Sequence, residues 1–123
     1  MSSKTEYSSL KAFITRDGSM VREMMHPRQH SEHGVASQSL AEARVAVGCK
    51  TQRHRHNQSE ELYHITAGTG MMSLADKQFK VKVGDTLCIP PGTTHCIENT
   101  GDEELVILCC CAPAYADEDT ELL

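Results

Sequence analysis

Short runs in which apolar and polar residues alternate recur along the chain, and they predict β-strands rather than helices. The clearest run covers residues 78–83, where Phe79, Val81 and Val83 alternate with two lysines. This period of two is expected of a strand with one face in a core and the other in solvent. Further extended segments are predicted at residues 12–14, 20–25, 71–74, 86–89 and 105–111. We therefore expect an all-β protein built mainly from antiparallel strands.

The segment 39–47 fits two descriptions. Ser39 and Glu42 resemble a helix capping box, and LAEARVAV contains good helix formers. The glycine that follows at position 48 opens a pattern that needs a strand leading into it. We predict a strand here.

A polar, histidine-containing stretch, HPRQHSEHGVASQ, separates the early strands from this segment. His26, His30 and His33 are spaced as on one helix face, which would suit a second metal site. Pro27 and Gly34 make a long helix improbable. A solvated loop, or a lid over a barrel mouth, is the better prediction.

Four residues further along have side chains that commonly bind metals. His54 and His56 are one residue apart, so a strand would place them on the same face, about 6.6 Å apart at the backbone. The polar residues 57–60 predict a turn, after which Glu61 begins the next strand beside the histidine pair; Glu60 faces the other way, into solvent. His95 follows a rigid proline and glycine turn.

Together these residues offer three imidazole nitrogens and one carboxylate oxygen, a ligand set suited to one divalent transition metal (Mn, Fe, Zn or Ni). A metal with about six ligands would keep roughly two positions open. A single buried histidine is more often a hydrogen-bonded core residue, but four ligand-type residues buried without a cation would be costly. His64 lies on the opposite face from Glu61 and is left out.

The spacing of these residues resembles the two motifs of the cupin superfamily. The first motif corresponds to Gly48, His54, His56, Glu61 and Gly68, and the second to Gly84, Pro90, Gly92, His95 and Asn99. Every anchor position matches, and the motifs span 52 of the 123 residues. The resemblance implies an antiparallel double-stranded β-helix, or jelly-roll barrel, with the metal held inside by His54, His56, Glu61 and His95.

The resemblance leaves the reaction open. Similar cupins act on small carboxylates or sugar-like molecules as isomerases, lyases or decarboxylases, or dioxygenases. The first hypothesis is therefore a metalloenzyme with a small-molecule substrate at the open metal positions. The alternative is a non-catalytic cupin that binds a small ligand or senses metal.

Strand alternation also predicts the pocket around the metal. Gln52, Tyr63 and Ile97 should point into the barrel with the ligands, and Arg44 would do so if its strand has that phase. Tyr63 is the candidate catalytic residue, as a proton or hydrogen-bond donor to a bound ligand. Simple packing of its ring is equally compatible with the sequence.

Length and composition fit one such barrel. We expect an N-terminal extension at residues 1–35, the barrel at 36–112 and an exposed acidic tail at 113–123, in a single domain of 123 residues. The net charge of -5, with no basic block, argues against nucleic acid or an anionic membrane as partner. The sequence has no apolar stretch typical of a signal peptide or a membrane span, which predicts a cytoplasmic protein.

Two further expectations concern the apolar segment 105–111 and the cysteines. This segment is apolar on both faces, which predicts a second subunit against the barrel and hence a homodimer. The six cysteines form no CxxC pair and are expected to be mostly small buried hydrophobes in a reducing compartment. The alternative is that one of the consecutive cysteines at 109–111, or Cys49 or Cys96, lines the pocket as a redox-sensitive thiol.

Overall fold

The computed structural model describes residues 2–123, and nearly all its regular structure is antiparallel β. The strands are β1 Phe13–Ile14, β2 Met20–Met25, β3 Ser39–Val45, β4 His54–His56, β5 Glu60–Ala67, β6 Thr69–Leu74, β7 Lys77–Lys82, β8 Thr86–Ile89, β9 His95–Asn99, β10 Leu105–Ala112 and β11 Thr120–Leu122. Three short 3-10 turns lie at Tyr7–Ser9, Ser31–His33 and Asp117–Asp119. The predicted all-β double-stranded barrel is confirmed.

The strands form two sheets whose order explains how distant segments meet. One sheet has six strands in the order β1-β2-β3-β10-β5-β8, and the other has five in the order β11-β4-β9-β6-β7. The segment 39–47, which has features of both a helix and a strand, forms strand β3 over Ser39–Val45, as predicted. It is hydrogen-bonded to β2 on one side and to β10 on the other, and this pairing overrides the helix propensity of its residues.

The core lies between the sheets and is formed by the inward residues of both. On β3 and β10, for example, Ala41, Ala43 and Ile107 are buried, while the residues between them are more exposed. The buried cluster is completed by Val21, Val45, Tyr63, Ile65, Met72, Val81, Ile89, Ile97, Leu105 and Cys109. The alternation that predicted the strands therefore also decides which side chains reach the interior.

Glycine 68 is required where β5 passes into β6. Its φ is +83°, and a Cβ there would lie 2.7 Å from the Glu104 carbonyl oxygen. Only a residue without a side chain combines this backbone conformation with this close approach. The first motif thus contains Gly68 for a structural reason.

Both ends of the chain take part in the sheets. Strands β1 and β2 extend the six-stranded sheet, and β11 pairs with β4. The expected acidic tail is exposed only in part: the segment 120–122 is a strand in which Thr120 is buried, whereas Leu122 and Leu123 are exposed. Backbone pairing with β4 holds this strand in spite of the acidic residues before it. The boundaries 1–35, 36–112 and 113–123 stay a prediction.

Across residues 2–123 we find no helix of the length and apolar character required to cross a bilayer.

Candidate metal centre

Three of the four candidate ligands lie together on the five-stranded sheet. His54 and His56 are on β4, and His95 on β9 is the direct cross-strand partner of His54. One nitrogen atom from each ring lies within 4.8 Å of the other two, and all three residues are buried. The alternation of β4 and the pairing of β4 with β9 together produce this group.

A hydrogen bond orients each histidine ring. The Nδ1 atoms of His54 and His95 donate to the carbonyl oxygens of Gln52, at 2.7 Å, and Thr93, at 2.9 Å. The Nδ1 atom of His56 lies 3.1 Å from the Thr120 hydroxyl, which itself donates to the Ala116 carbonyl and so accepts from the ring. With Nδ1 protonated in each ring, the three Nε2 atoms present lone pairs to the site.

Glu61 approaches this group from the opposite sheet. Its Oε1 atom lies 3.3 Å from Nε2 of His56 and 3.6 Å from Nε2 of His95. Its Oε2 atom accepts a hydrogen bond from the Cys111 thiol at 3.3 Å. Glu60, one residue earlier, is exposed. Strand alternation therefore directs Glu61 to the site and Glu60 to solvent, as predicted.

Burial and mutual proximity set the charges of these groups. Burial raises the pKa of Glu61, but the neighbouring His56 and His95 outweigh it and hold the pKa of this carboxyl at about 2. Burial lowers the pKa of His56, but Glu61 outweighs it, so the pKa of His56 is raised. Burial and the nearby His95 lower the pKa of His54. The site therefore holds an ionised carboxylate, which favours the charged form of His56, while burial disfavours the charged form of His54.

The donor set fits a divalent transition metal. Within the described chain, Glu61 Oε1 and His95 Nε2 are buried without a hydrogen-bond partner. Two ligand atoms about 2.1 Å from one ion are separated by about 3.0 Å in adjacent positions and about 4.2 Å in opposite ones. The distances of 3.3 and 3.6 Å from Glu61 to the two rings fall in this range. A cation would therefore satisfy polar atoms that the protein leaves unpaired.

A cavity of about 50 Å³ opens beside the centre. Since about 10–15 Å³ of such space holds one water molecule, the cavity admits about four waters or a small ligand. Its walls include residues from the centre, from β2, β3 and β10, and from both terminal segments: Thr15, Asp17, Ser19, Val21, Glu23, Ser39, Ala41, Ala43, His54, His56, Glu61, Tyr63, Cys109, Cys111, Tyr115 and Thr120. No Lys or Arg occurs among these described wall residues.

The predicted pocket residues have different positions. Tyr63 is buried and lines the cavity, and burial followed by the charge of Glu61 raises the pKa of its hydroxyl. Ile97 points inward as expected, but it belongs to the hydrophobic core and not to the cavity wall.

The prediction for Gln52 is wrong, and the condition set for Arg44, an inward phase of its strand, is not met. Gln52 is exposed, because β4 begins only at His54 and strict alternation does not extend to the loop before it. Arg44 lies on the outer face of β3, where its guanidinium contacts Glu42 and Glu104 at 3.0 and 2.9 Å. The phase of β3 directs Ala43 and Val45 inward instead.

Two acidic residues of the cavity wall were missed by the sequence reasoning. Glu23 is an inward residue of β2. A glutamate at an inward position of the apolar stretch 20–25 is the sequence signal that could have identified it. Burial, with the charge of Glu61 added, raises the pKa of Glu23 to about 7. Asp17 lies in the turn between β1 and β2, 3.5 Å from His54 Nε2. A turn carries no periodicity, so nothing in the sequence connected Asp17 to the centre.

Some cysteines are buried, as expected of small hydrophobic residues, and two of the consecutive cysteines line the cavity, as the alternative expected. Cys109 and Cys111 are buried and line the cavity, whereas Cys49 and Cys88 are exposed. Burial raises the pKa of both cavity thiols, so they stay protonated and neutral rather than reactive. All six cysteines are free.

The histidine-containing loop contributes a structural contact. His26 is buried, and its Nε2 atom lies 2.6 Å from the Tyr115 carbonyl oxygen. Its backbone N–H donates to Nδ1 of His30 at 3.0 Å. His26 therefore links this loop to the C-terminal segment that borders the cavity.

Comparison with known proteins agrees with this architecture. Residues 41–111 match the family described as Cupin domain. An uncharacterized protein of Methanocaldococcus jannaschii is 54% identical over 120 residues, which cover 98% of this chain and 94% of that protein.

Two solved structures share the fold at low identity. The oxalate decarboxylase of Lactobacillus farciminis, in a formate complex, superposes with a TM-score of 0.79 at 23% identity, covering 94% of this chain and 34% of that one. The polyketide cyclase RemF of Streptomyces resistomycificus gives 0.76 at 20% identity, covering 91% of this chain and 80% of that one. At these identities the likeness shows the fold alone.

Proposed function

The chain belongs to the Cupin domain family, and from this premise we propose that it is a metal-dependent enzyme that moves a proton on a small hydroxyl- or carbonyl-bearing molecule. His54, His56, His95 and Glu61 would hold one divalent metal. When bound, the metal would supply Lewis-acid polarisation of a substrate oxygen. The reaction would be of the isomerase or lyase type.

The observation that carries this proposal is the state of Glu23. Its side chain is 3% exposed and lines the same cavity as the candidate ligands. Within residues 2–123, its Oε1 atom has no hydrogen-bond partner. A buried, unpaired carboxyl whose pKa is raised to about 7 exchanges protons readily near neutral pH, as a general acid or base must.

The other wall residues support a substrate without a large negative charge. Glu23, Asp17 and Glu61 bring three carboxyl groups to the cavity, and the described wall has no Lys or Arg to balance them. A dianion would meet repulsion from Glu61 in particular, whose low pKa keeps it ionised.

Tyr63 would position the substrate. Its raised pKa keeps the phenol protonated at neutral pH, so its hydroxyl can donate a hydrogen bond to a substrate oxygen. Its ring lies edge-on to the His95 ring, with 6.1 Å between centroids.

Proton exchange in D2O tests the proposal. The metal-loaded protein is incubated with glycolaldehyde, hydroxyacetone and related compounds, and proton NMR follows loss of the C–H signals next to the carbonyl. We expect exchange with the wild-type protein, a fall of at least about 100-fold in Glu23→Gln and no change in the control Glu98→Gln, which alters an exposed glutamate. Metal-dependent binding of these compounds without exchange or conversion would favour the non-catalytic cupin instead.

We also propose that the chain forms a homodimer through the outer face of the six-stranded sheet. Leu40, Cys110, Leu62 and Cys88 are cross-strand neighbours in register on β3, β10, β5 and β8. Leu40 and Leu62 are 37% and 42% exposed. A continuous apolar row across four strands is a surface that a second copy would cover favourably.

A further inference from the structure

We infer that Tyr115 determines which molecules reach the candidate metal centre, because its side chain belongs to the wall between the centre and the surface. The residue lies in the C-terminal segment, outside both cupin motifs and outside the matched residues 41–111. The inference rests on the proposed function for the role of the centre. The passage itself is made of protein atoms and does not require a bound metal.

Three cavities meet at Tyr115. The inner cavity of about 50 Å³ lies beside the centre. An outer groove of about 580 Å³ lies between residues 13–16 and 115–118, and a side groove of about 370 Å³ lies between residues 26–28 and 113–119. Within residues 2–123, Tyr115 is the one residue that lines all three.

The passage between the inner cavity and the outer groove is narrow. Among the residues that the structure describes, Thr15, Glu23 and Tyr115 line both spaces. The Thr15 hydroxyl donates to the Asp17 carboxylate at 2.6 Å, and the Glu23 side chain is 3% exposed. Tyr115 has the largest of the three side chains and is half-buried. Its truncation would therefore widen the passage most.

The backbone of Tyr115 is anchored on two sides. Its N–H donates to the Ser39 hydroxyl at 2.8 Å, and its carbonyl accepts from Nε2 of His26 at 2.6 Å. Nδ1 of His26 accepts from the Arg28 N–H at 3.1 Å, which leaves the proton on Nε2. Ser39 and His26 are 2% and 5% exposed. The wall is therefore a fixed part of the fold, and the histidine-containing loop helps to hold it.

The Tyr115 ring lies next to a candidate ligand. It is edge-on to the His56 ring, with 5.8 Å between the centroids and an angle of 77° between the planes. A molecule that enters from the outer groove must pass this ring before it reaches the centre. Tyr115 thus limits the width of the part that enters, whereas the rest of the molecule can stay outside.

The outer groove indicates what that outer part can be. Phe13 and Ile14 line it and are 38% and 63% exposed. Two ion pairs in its wall balance their own charges, Arg16 with Asp117 and Arg28 with Glu118. The substrate class that fits is a molecule with a narrow hydroxyl- or carbonyl-bearing end and an uncharged, partly apolar remainder.

Thiol labelling of the metal-free protein tests the inference. Cys109 and Cys111 line the inner cavity and report on entry once the other four cysteines are replaced by serine. Each thiol displaces methanesulfinate from methyl methanethiosulfonate, or from the bulkier benzyl methanethiosulfonate, and forms a mixed disulfide. Mass spectrometry of the intact protein follows both rates. Their ratio cancels the intrinsic reactivity of the thiols.

We expect Tyr115→Ala in this four-serine protein to raise the benzyl-to-methyl rate ratio by at least about 10-fold, since the bulky reagent then enters without local opening of the wall. Tyr115→Phe keeps the ring and should leave the ratio unchanged, and the larger Tyr115→Trp should lower it. Loosening of the fold does not produce opposite changes in the alanine and tryptophan variants.

The matched control is Tyr7→Ala, which removes a tyrosine that is 46% exposed and lies outside all three cavities. Its ratio should equal that of the four-serine protein. An unchanged ratio in Tyr115→Ala, or a raised one in Tyr115→Trp, would overturn the role of Tyr115 and leave the metal centre in place. A protein that shows the predicted ratios but binds no Mn(II), Fe(II), Zn(II) or Ni(II) would overturn the proposed function alone.

Discussion

Buried polar side chains around the centre differ in whether their atoms have hydrogen-bond partners, and this difference affects the pH dependence of stability. Glu23 is the strongest case, because a carboxyl that is 3% exposed has no described hydrogen-bond partner for Oε1. Asn99 is the opposite case: its amide donates to the Val45 and Glu103 carbonyls and accepts from the Gly101 N–H. The side-chain amide of Asn99 is therefore fully hydrogen-bonded, whereas Oε1 of Glu23 is not.

The stability of the metal-free protein should depend on Glu23 and on pH. Its pKa rises from 4.5 to about 7 on folding, so the folded protein retains a proton that the unfolded chain loses. The resulting stabilisation is complete below pH 4.5 and is lost as pH rises to about 7, a change of about 3 kcal/mol. We predict that urea unfolding shows this loss in the wild type and that Glu23→Gln lacks it.

The exposed variant Glu98→Gln is the control for this measurement and should retain the wild-type pH dependence. Identical pH profiles for Glu23→Gln and the wild type would contradict the assignment of Glu23 as a buried carboxyl with a raised pKa.

The sequence predicted side chains well wherever strict strand alternation applies. His54, His56, Glu61 and Tyr63 are all inward because β4 and β5 are regular through these positions. Gln52 and Val83 were expected inward but are exposed, because each lies just outside a strand end. Alternation thus fails one or two residues beyond the last ladder hydrogen bond.

At the scale of elements, segments outside the two motifs complete the centre. The turn before β2 provides Asp17, β2 provides Glu23, and β11 provides Thr120, which supports His56. These contacts depend on long-range pairing, such as β11 with β4. No local pattern encodes them, which is why the sequence predicted an exposed tail there.

Removing the Thr120 hydroxyl should weaken metal binding. Thr120→Val keeps the side-chain volume but deletes the group that accepts from Nδ1 of His56 at 3.1 Å. Loss of such an outer hydrogen bond typically lowers metal affinity by about 10- to 100-fold. Competition with a chelator of known affinity measures the change.

The matched control for this variant is Thr86→Val. Its hydroxyl contacts Nδ1 of His64 at 2.7 Å, in the same type of pair but away from the centre. We expect no change in affinity there. Equal affinities for all three proteins would mean that Thr120 does not orient a ligand.

At the scale of the whole molecule, two antiparallel sheets hold the ligands on facing walls. The histidines belong to the five-stranded sheet and Glu61 to the six-stranded one. The complete cupin motifs predicted a barrel that brings these four side chains together, but the sequence placed Glu61 beside the histidine pair and not on the facing sheet. The outer surface carries no comparable motif, so the proposal of a dimer rests on the apolar row of Leu40, Cys110, Leu62 and Cys88 alone.

The proposed dimer should depend on that row. Light scattering after size exclusion should give twice the chain mass of 13.6 kDa for the wild type and the monomer mass for Leu62→Glu, since a buried unpaired charge is costly. Val83→Glu is the control, because Val83 is 58% exposed and lies outside the row. A wild type that is monomeric at every concentration would exclude this interface.

Direct metal titration tests whether the three histidines and Glu61 bind one metal ion per chain. Protein purified without chelator or affinity nickel is titrated with Mn, Fe, Zn and Ni, and bound metal is measured by mass spectrometry. We predict about one ion per chain for the wild type and for His64→Ala, and loss of binding in His95→Ala with the fold retained by circular dichroism. A folded wild-type protein that binds none of these four metals, or a His95→Ala variant that binds as tightly as the wild type, would contradict the account.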